Sequence, residues 1–221
     1  MQNNPSSDSA AEIVNIRESL VRELAGSHPA GLREQLVFST GSSSASIVFV
    51  GEAPGAEEER LGEPFVGPAG EKLNAILRAM GLSREEVYIS NIVKFRPRIG
   101  DLADQGTRNR KPTSEEIDLF RPWLLREIRV IRPKVLVALG ASAFQGLSGS
   151  DLSIGKARRE RHEVEGIPLV ATYHPSYLLR QEQEGTASAL QAKRALWENM
   201  LEVMEVAGLL ISERQRNYFR N

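Results

Sequence analysis

Asn91, Phe65, His174 and Glu52 are the residues of this chain whose types could act together on one planar ring. An asparagine amide offers a donor and an acceptor in one plane, which matches a heterocycle edge with adjacent N–H and C=O groups. An aromatic ring supplies a stacking face for the same heterocycle. A histidine can donate to an oxygen on which negative charge develops. Together they describe a site that holds a base and makes it a better leaving group, with one carboxylate nearby. Beside His174, the stretch Ser176-Tyr177-Leu178-Leu179-Arg180 adds a hydroxyl and backbone N–H groups for phosphate, two leucines and a cation. Apolar wedges pushed into a base stack distort DNA. Each residue also has a plainer reading. Phe65 follows a proline and suits a core, Asn91 suits a turn, Glu52 suits a cap, and Arg158, Arg159 and Arg161 suit a solvated face. The constellation, rather than any one of its members, favours chemistry.

Four buried strands would have to carry these side chains to one edge. Ile47-Val48-Phe49-Val50 is an unbroken apolar run that meets Gly51-Glu52-Ala53-Pro54-Gly55. It reads as a strand covered on both faces, followed by a sharp loop. Residues 87–93 repeat the pattern and carry Asn91. Residues 135–139 end at Gly140, and residues 169–173 deliver His174-Pro175-Ser176. A shorter strand is expected at Leu36-Val37-Phe38. Helical spacing covers 10–24, 69–80, 113–131 and 141–147. A last long helix opens at Thr186 or Ser188 with Leu190, Leu196, Met200 and Val203 inward. Strands alternating with helices predict an α/β fold, a three-layer α/β/α sandwich around a central four-stranded parallel sheet. In such sheets ligands bind at the carboxyl ends of the strands. Residues 1–221 read as a single domain, with 1–9 and 212–221 flexible.

Composition bounds the partners. The chain has 221 residues, 41% of them hydrophobic and 26% charged, with a net charge of -1. Any nucleic-acid contact must therefore rest on cations gathered on one face. With no cysteine there can be no disulfide, no thiolate nucleophile and no cysteine-ligated zinc or iron–sulfur site. Three histidines far apart in sequence argue against a histidine metal site. No Walker loop or GxGxxG fingerprint is present. No apolar run approaches the ~20 residues of a membrane span, so a cytoplasmic setting is expected, nucleoid-associated when on DNA.

Four segments, in order and spacing, resemble the family 4 type of uracil-DNA glycosylase. They are Gly51-Glu52-Ala53-Pro54-Gly55, Gly62-Glu63-Pro64-Phe65-Val66-Gly67, Asn91-Ile92-Val93-Lys94 and His174-Pro175-Ser176. The resemblance covers roughly residues 47–179 and the closing helix. It implies that the protein is a monofunctional glycosylase of base-excision repair, acting on uracil-containing DNA, single- or double-stranded, as a monomer. Phe65 would stack on an extruded uracil. Asn91 would read its Watson–Crick edge, and His174 would donate to O2 as the N1–C1′ bond breaks. Glu52 would place or polarise the water. Gly51 and Glu58 would complete the uracil site, with Glu58 a candidate for excluding the thymine methyl. Leu178 or Leu179 would fill the hole left by the flipped base. Ser176, Arg180, Arg108, Arg110, Lys111 and Arg158 would contact DNA.

Three departures qualify the resemblance. Position 53 is alanine where the best-known uracil glycosylases carry aspartate, so leaving-group stabilisation should outweigh general-base catalysis. Family 4 enzymes resemble iron–sulfur proteins with four cysteine ligands, and this chain has none. Two ligand positions fall at Phe95 and Phe120, which should pack together in the cluster's volume, leaving no cofactor. The loop 98–110 is longer than expected and has no histidine of the kind a related branch uses to trap the sugar. Its arginines Arg98, Arg108 and Arg110, with Lys111, would grip DNA instead. Two other readings stay open: a low-turnover protein of the same fold that binds uracil or abasic DNA, and an unrelated α/β enzyme that handles phosphate at the 51–55 loop.

Overall fold

A computed structural model describes residues 5–101, 104–185 and 187–219. The buried apolar runs become the strands of one twisted sheet. In chain order the strands are β1 (Leu32–Leu36), β2 (Ser39–Gly41), β3 (Ile47–Gly51), β4 (Tyr88–Asn91), β5 (Phe95–Pro97), β6 (Val135–Leu139), β7 (His162–Val164) and β8 (Ile167–Thr172). The main sheet runs β2-β4-β3-β6-β8-β7. Its four inner strands are parallel, and β2 and β7 add antiparallel edges. The expected four-stranded sheet is thus the centre of a six-stranded one. The edge strands have three residues each, too few to show a period of two. The strand expected at Leu36-Val37-Phe38 is divided. Leu32–Leu36 pairs with β5 in a separate ribbon, Ser39–Gly41 pairs with β4, and buried Val37 and Phe38 cross between them.

The helices are α1 (Pro5–Leu24), α2 (Ala56–Leu61), α3 (Pro68–Met80), α4 (Ser114–Ile131), α5 (Ala141–Ser148), α6 (Ile154–Ala157), α7 (Pro175–Gln183), α8 (Ala187–Ala207) and α9 (Glu213–Arg216). Residues of α1, α4 and α5 pack on one face of the sheet, and those of α3, α7 and α8 on the other. The three-layer α/β/α expectation holds. Local chemistry sets the ends. Thr113 accepts from the Glu116 N–H, and the Glu116 carboxylate returns to the Thr113 N–H, closing a capping box. Pro68 stands in the first turn of α3, and Gly81 closes it with φ 82°.

The ends of the chain and one side chain add detail to the expectation. Helix α1 begins at Pro5, so residues 5–9 are helical; residues 1–4 lie outside the described part. Residues 213–216 form the short helix α9, which is tied to the body through Gln215. Trp197 Nε1 donates to the Gln215 carbonyl at 2.8 Å, and Gln215 Nε2 donates to the Ala79 carbonyl at 2.9 Å. Leu190 on α8 faces solvent, whereas Leu196, Met200 and Val203 are buried as expected. Thr186, residues 102 and 103 of the long loop, and residues 220 and 221 also lie outside the described part.

Candidate active site

Glu52, Asn91, Gly140 and His174 all line one cleft of about 860 Å³ at the carboxyl edge of the parallel strands. That is room for a nucleobase with its sugar. The register explains the convergence. Gly51 on β3 sits opposite Asn91 on β4, and Leu139 on β6 sits opposite Thr172 on β8. Each functional side chain therefore leaves its strand at the same height.

The close approach of Asn91 and Phe65 depends on Gly51. A Cβ there would run into Asn91 Oδ1 and lie 2.6 Å from Phe65 Cζ. Asn91 is 2% exposed, and among the described residues its amide has no hydrogen-bond partner. Phe65 is buried and held at φ 55°, a left-handed conformation that an aromatic residue rarely adopts. Arg84 fixes it there. The guanidinium donates to the Pro64 carbonyl at 2.8 Å and the Phe65 carbonyl at 3.0 Å, and is itself held by Glu63 and Asn74. Strain of this kind persists where the surroundings over-determine it, and it gathers at ligand sites.

His174 lies beside Phe65, ring centroids 5.8 Å apart. Its Nδ1 accepts from the Ser176 backbone N–H at 3.1 Å, with Ser176 Oγ 2.8 Å away. The ring proton is thereby assigned to Nε2. Burial first, and the Arg180 charge second, push the pKa down to about 4. His174 is thus a neutral imidazole with its Nε2–H available to donate. Gly140, at φ 93°, keeps the strand end clear of it: a Cβ there would lie 3.1 Å from His174 Cβ.

Burial raises the Glu52 carboxyl above its usual range, while a hydrogen bond from Ser142 and the charge of Lys111 pull it back. Ser142 was not anticipated, although it stands two residues after the strand-end Gly140. Glu58 lines the cleft, but its carboxylate is already engaged. Oε2 accepts from the Gly55 N–H at 3.2 Å, and Oε1 accepts from Val66 and Gly67 at 3.1 and 2.9 Å. It clamps the 51–55 loop to the 64–67 loop, so the glutamate expected in the uracil site lines the cleft with its carboxylate holding those two loops together. A glutamate three residues after the helix-capping Gly55 is the sequence signal for that role.

The expected DNA contacts divide. Ser176, Leu179, Arg180, Arg110 and Lys111 line the cleft, and Arg180 and Lys111 are exposed. Leu178 is buried against α8 and cannot be the wedge, because Pro175 starts a helix that turns position 178 inward. Leu179 is the one at the mouth. Arg110 is committed to Glu116 and to the Gly31 carbonyl. Arg158 is likewise committed, to Asn199 and the Ala195 carbonyl, and stands outside the cleft. Arg108 is exposed but donates to the carbonyls of Asp104 and Gln105. Buried Arg96, also not anticipated, ties the long loop down through Asn109 Oδ1 at 3.0 Å and the carbonyls of Gly106 and Arg108.

Phe95 and Phe120 do pack, with ring centroids 5.7 Å apart, and His28 stands edge-on to Phe95 at 4.9 Å. These side chains offer no thiolate and do not fit an iron–sulfur cluster. Among the described residues no helix is long and apolar enough to cross a membrane.

Comparison with known proteins supplies the last observation. A family model for the uracil DNA glycosylase superfamily matches residues 38–201. The Type-4 uracil-DNA glycosylase of Thermotoga maritima is 44% identical over 150 residues, 67% of this chain and 73% of that protein. That of Archaeoglobus fulgidus is 38% identical over 177 residues, 75% and 84% of the two chains. A third, from Pyrobaculum aerophilum, is 35% identical over 158 residues, 67% and 76%. With the family's segments at the strand ends and most of its length matched, the chain belongs to the uracil DNA glycosylase superfamily.

Proposed function

We propose that this protein hydrolyses the N-glycosidic bond of deoxyuridine in DNA, releasing uracil and leaving an abasic site. The observation that carries the reading is the meeting in one cleft of an Asn91 amide without a partner among the described residues, the ring of Phe65 on its left-handed backbone, and a neutral, Nε2-protonated His174. Membership of the superfamily, and relatives named Type-4 uracil-DNA glycosylase, support it.

The geometry supports the following course. A uracil swung out of the stack lies on Phe65, at an unpairing cost of a few kcal/mol. Asn91 accepts from N3–H and donates to O4, which a cytosine edge cannot satisfy because its N3 is an acceptor and its N4 a donor. As the N1–C1′ bond breaks, its electrons pass into the ring and charge builds on O2. His174 Nε2–H donates to that oxygen. A neutral donor gains most at the transition state, where the charge has developed. Glu52 sits in lowered dielectric with Ser142 and Lys111 and holds the water that adds to C1′. With alanine at position 53, leaving-group stabilisation dominates. Leu179 fills the vacated place in the stack, and Ser176, Arg180 and Lys111 take phosphates. The protein works without an iron–sulfur cluster, as a monomer, in the cytoplasm and at the nucleoid.

Ala53 favours one alternative: a protein of the same fold that binds uracil or abasic DNA and turns over poorly. Cleavage of an oligonucleotide with a single labelled uracil, in single and multiple turnover, separates the two. Alkali-labile sites exceeding one per enzyme, with loss in Asn91→Ala and His174→Ala, support the glycosylase. One equivalent or less, with tight product binding, supports the alternative.

A further inference from the structure

A charged network lies buried directly behind Asn91, and the reaction above does not use it. Lys94 and Glu127 both have fully buried side chains, with Nζ 2.5 Å from Oε1. Lys94 Nζ also donates to Ser90 Oγ at 2.6 Å and to the backbone carbonyl of Asn91 at 2.9 Å. Glu127 Oε2 accepts from the Tyr88 hydroxyl at 2.7 Å and from Ser90 Oγ at 3.2 Å. All this sits among apolar side chains of the α1–α4 face of the sheet.

Stability alone does not account for it. A buried ion pair is commonly matched or bettered by apolar side chains of the same volume. What it supplies that they could not is a donor of fixed direction. Strand β2 registers with β4 only as far as Ser39–Ser90, one residue short of Asn91. On the β3 side, the Ile92 N–H donates to the Gly51 carbonyl at 3.0 Å. The Lys94 ammonium takes the Asn91 carbonyl on the other side, so the peptide after Asn91 is held at both ends.

We propose that Lys94, held by Glu127, is a positioning residue that sets the Asn91 amide against the uracil edge. This rests on the glycosylase reading. The test replaces both charges at once, so that neither is left buried and unpaired. In K94M/E127L the melting temperature and the affinity for abasic-site duplex, which has no base for Asn91 to touch, stay at wild-type values. Single-turnover release of uracil falls about 10²-fold, the scale of a small misplacement of a reacting group. K94Q/E127Q, which keeps an amide donor for the Asn91 carbonyl, recovers most of that rate. In an N91A background K94M/E127L changes the rate less than twofold, because the two act through one contact. A wild-type rate in K94M/E127L overturns the proposal, as does a full further loss on top of N91A. Failure of K94M/E127L to fold overturns it too, since the network would then hold the fold rather than Asn91. Wild-type protein that releases no uracil would instead sink the glycosylase reading, whatever the variants do.

Discussion

Asn91 and Phe95 stand four residues apart and end in opposite environments. Among the described residues Asn91 closes β4 with its amide unpaired, beside a phenylalanine held at φ 55° and an imidazole whose Nε2 has no hydrogen-bond partner. Phe95 opens β5 with its ring against Phe120 and His28, and even the His28 Nε2 is satisfied, by the Arg33 carbonyl at 3.0 Å. One region leaves polar capacity and strain unspent, and in the other the rings pack on one another. A site built for an absent partner looks like the first, and packing that serves only the fold looks like the second. Substitutions should therefore separate cleanly: activity without stability in the cleft, stability without activity at the ring pair.

The largest effect is expected in the cleft. Asn91→Ala and His174→Ala should each lower the single-turnover rate by about 10²–10³-fold, the usual loss when a preorganised donor is removed. Melting temperatures should hold or rise, because groups kept for a ligand are commonly retained at a cost to stability. A fall in stability large enough to explain the lost rate would erase the contrast between the two regions.

At the ring pair, Phe120→Ala should cost about 3–5 kcal/mol of stability by opening a cavity in a fully buried site. Uracil release, measured well below the melting transition, should stay at the wild-type rate. Metal analysis of the purified protein belongs to the same test. Stoichiometric iron would show that the rings do not stand in for a cluster.

A pH titration sharpens the comparison through His174. Its folded pKa is about 4, against 6.5 in the unfolded chain. Between those values the unfolded chain binds a proton that the folded one does not, so folding is weakened as the pH falls from 6.5 towards 4. The full penalty is about 3 kcal/mol, and His174→Ala should remove it from the stability profile. Activity should pass through pH 6.5 without the step of an ordinary histidine and decline only as the imidazole itself protonates. A midpoint for that step near 6.5 would mean that the ring is solvated and not the neutral donor of the cleft.

Much of this was legible in the sequence because strand ends advertise themselves. A run such as Ile47-Val48-Phe49-Val50 followed by Gly51 fixes both a buried strand and the edge to which it delivers Glu52. The same logic placed Asn91, Gly140 and His174. What could not be read depended on phase or on competition between partners. Choosing Leu179 over Leu178 requires the helical phase set by Pro175. Glu58 is a clamp because three backbone N–H groups converge on it from two loops, a meeting that no local pattern reveals. Arg110 and Lys111 are neighbours of similar charge, yet Glu116 captures only the first. Strands β2 and β7 were too short to show alternation.

That distinction between captured and exposed cations gives the smallest prediction. Lys111 and Arg180 stand exposed on the cleft wall, whereas Arg110 and Arg158 are bound into the fold. If exposed cations meet phosphates, Lys111→Ala and Arg180→Ala should each weaken binding of uracil-free duplex and lower the slope of log K against log salt by about 0.9. Arg158→Ala should leave that slope unchanged and lower the melting temperature instead, through the lost hydrogen bonds to Asn199 and the Ala195 carbonyl. Binding isotherms across a salt series on these three variants decide it. A slope that moves with Arg158 but not with Lys111 would mean that DNA lies across α8 rather than over the cleft. The wall that carries Lys111 would then be only a solvated rim.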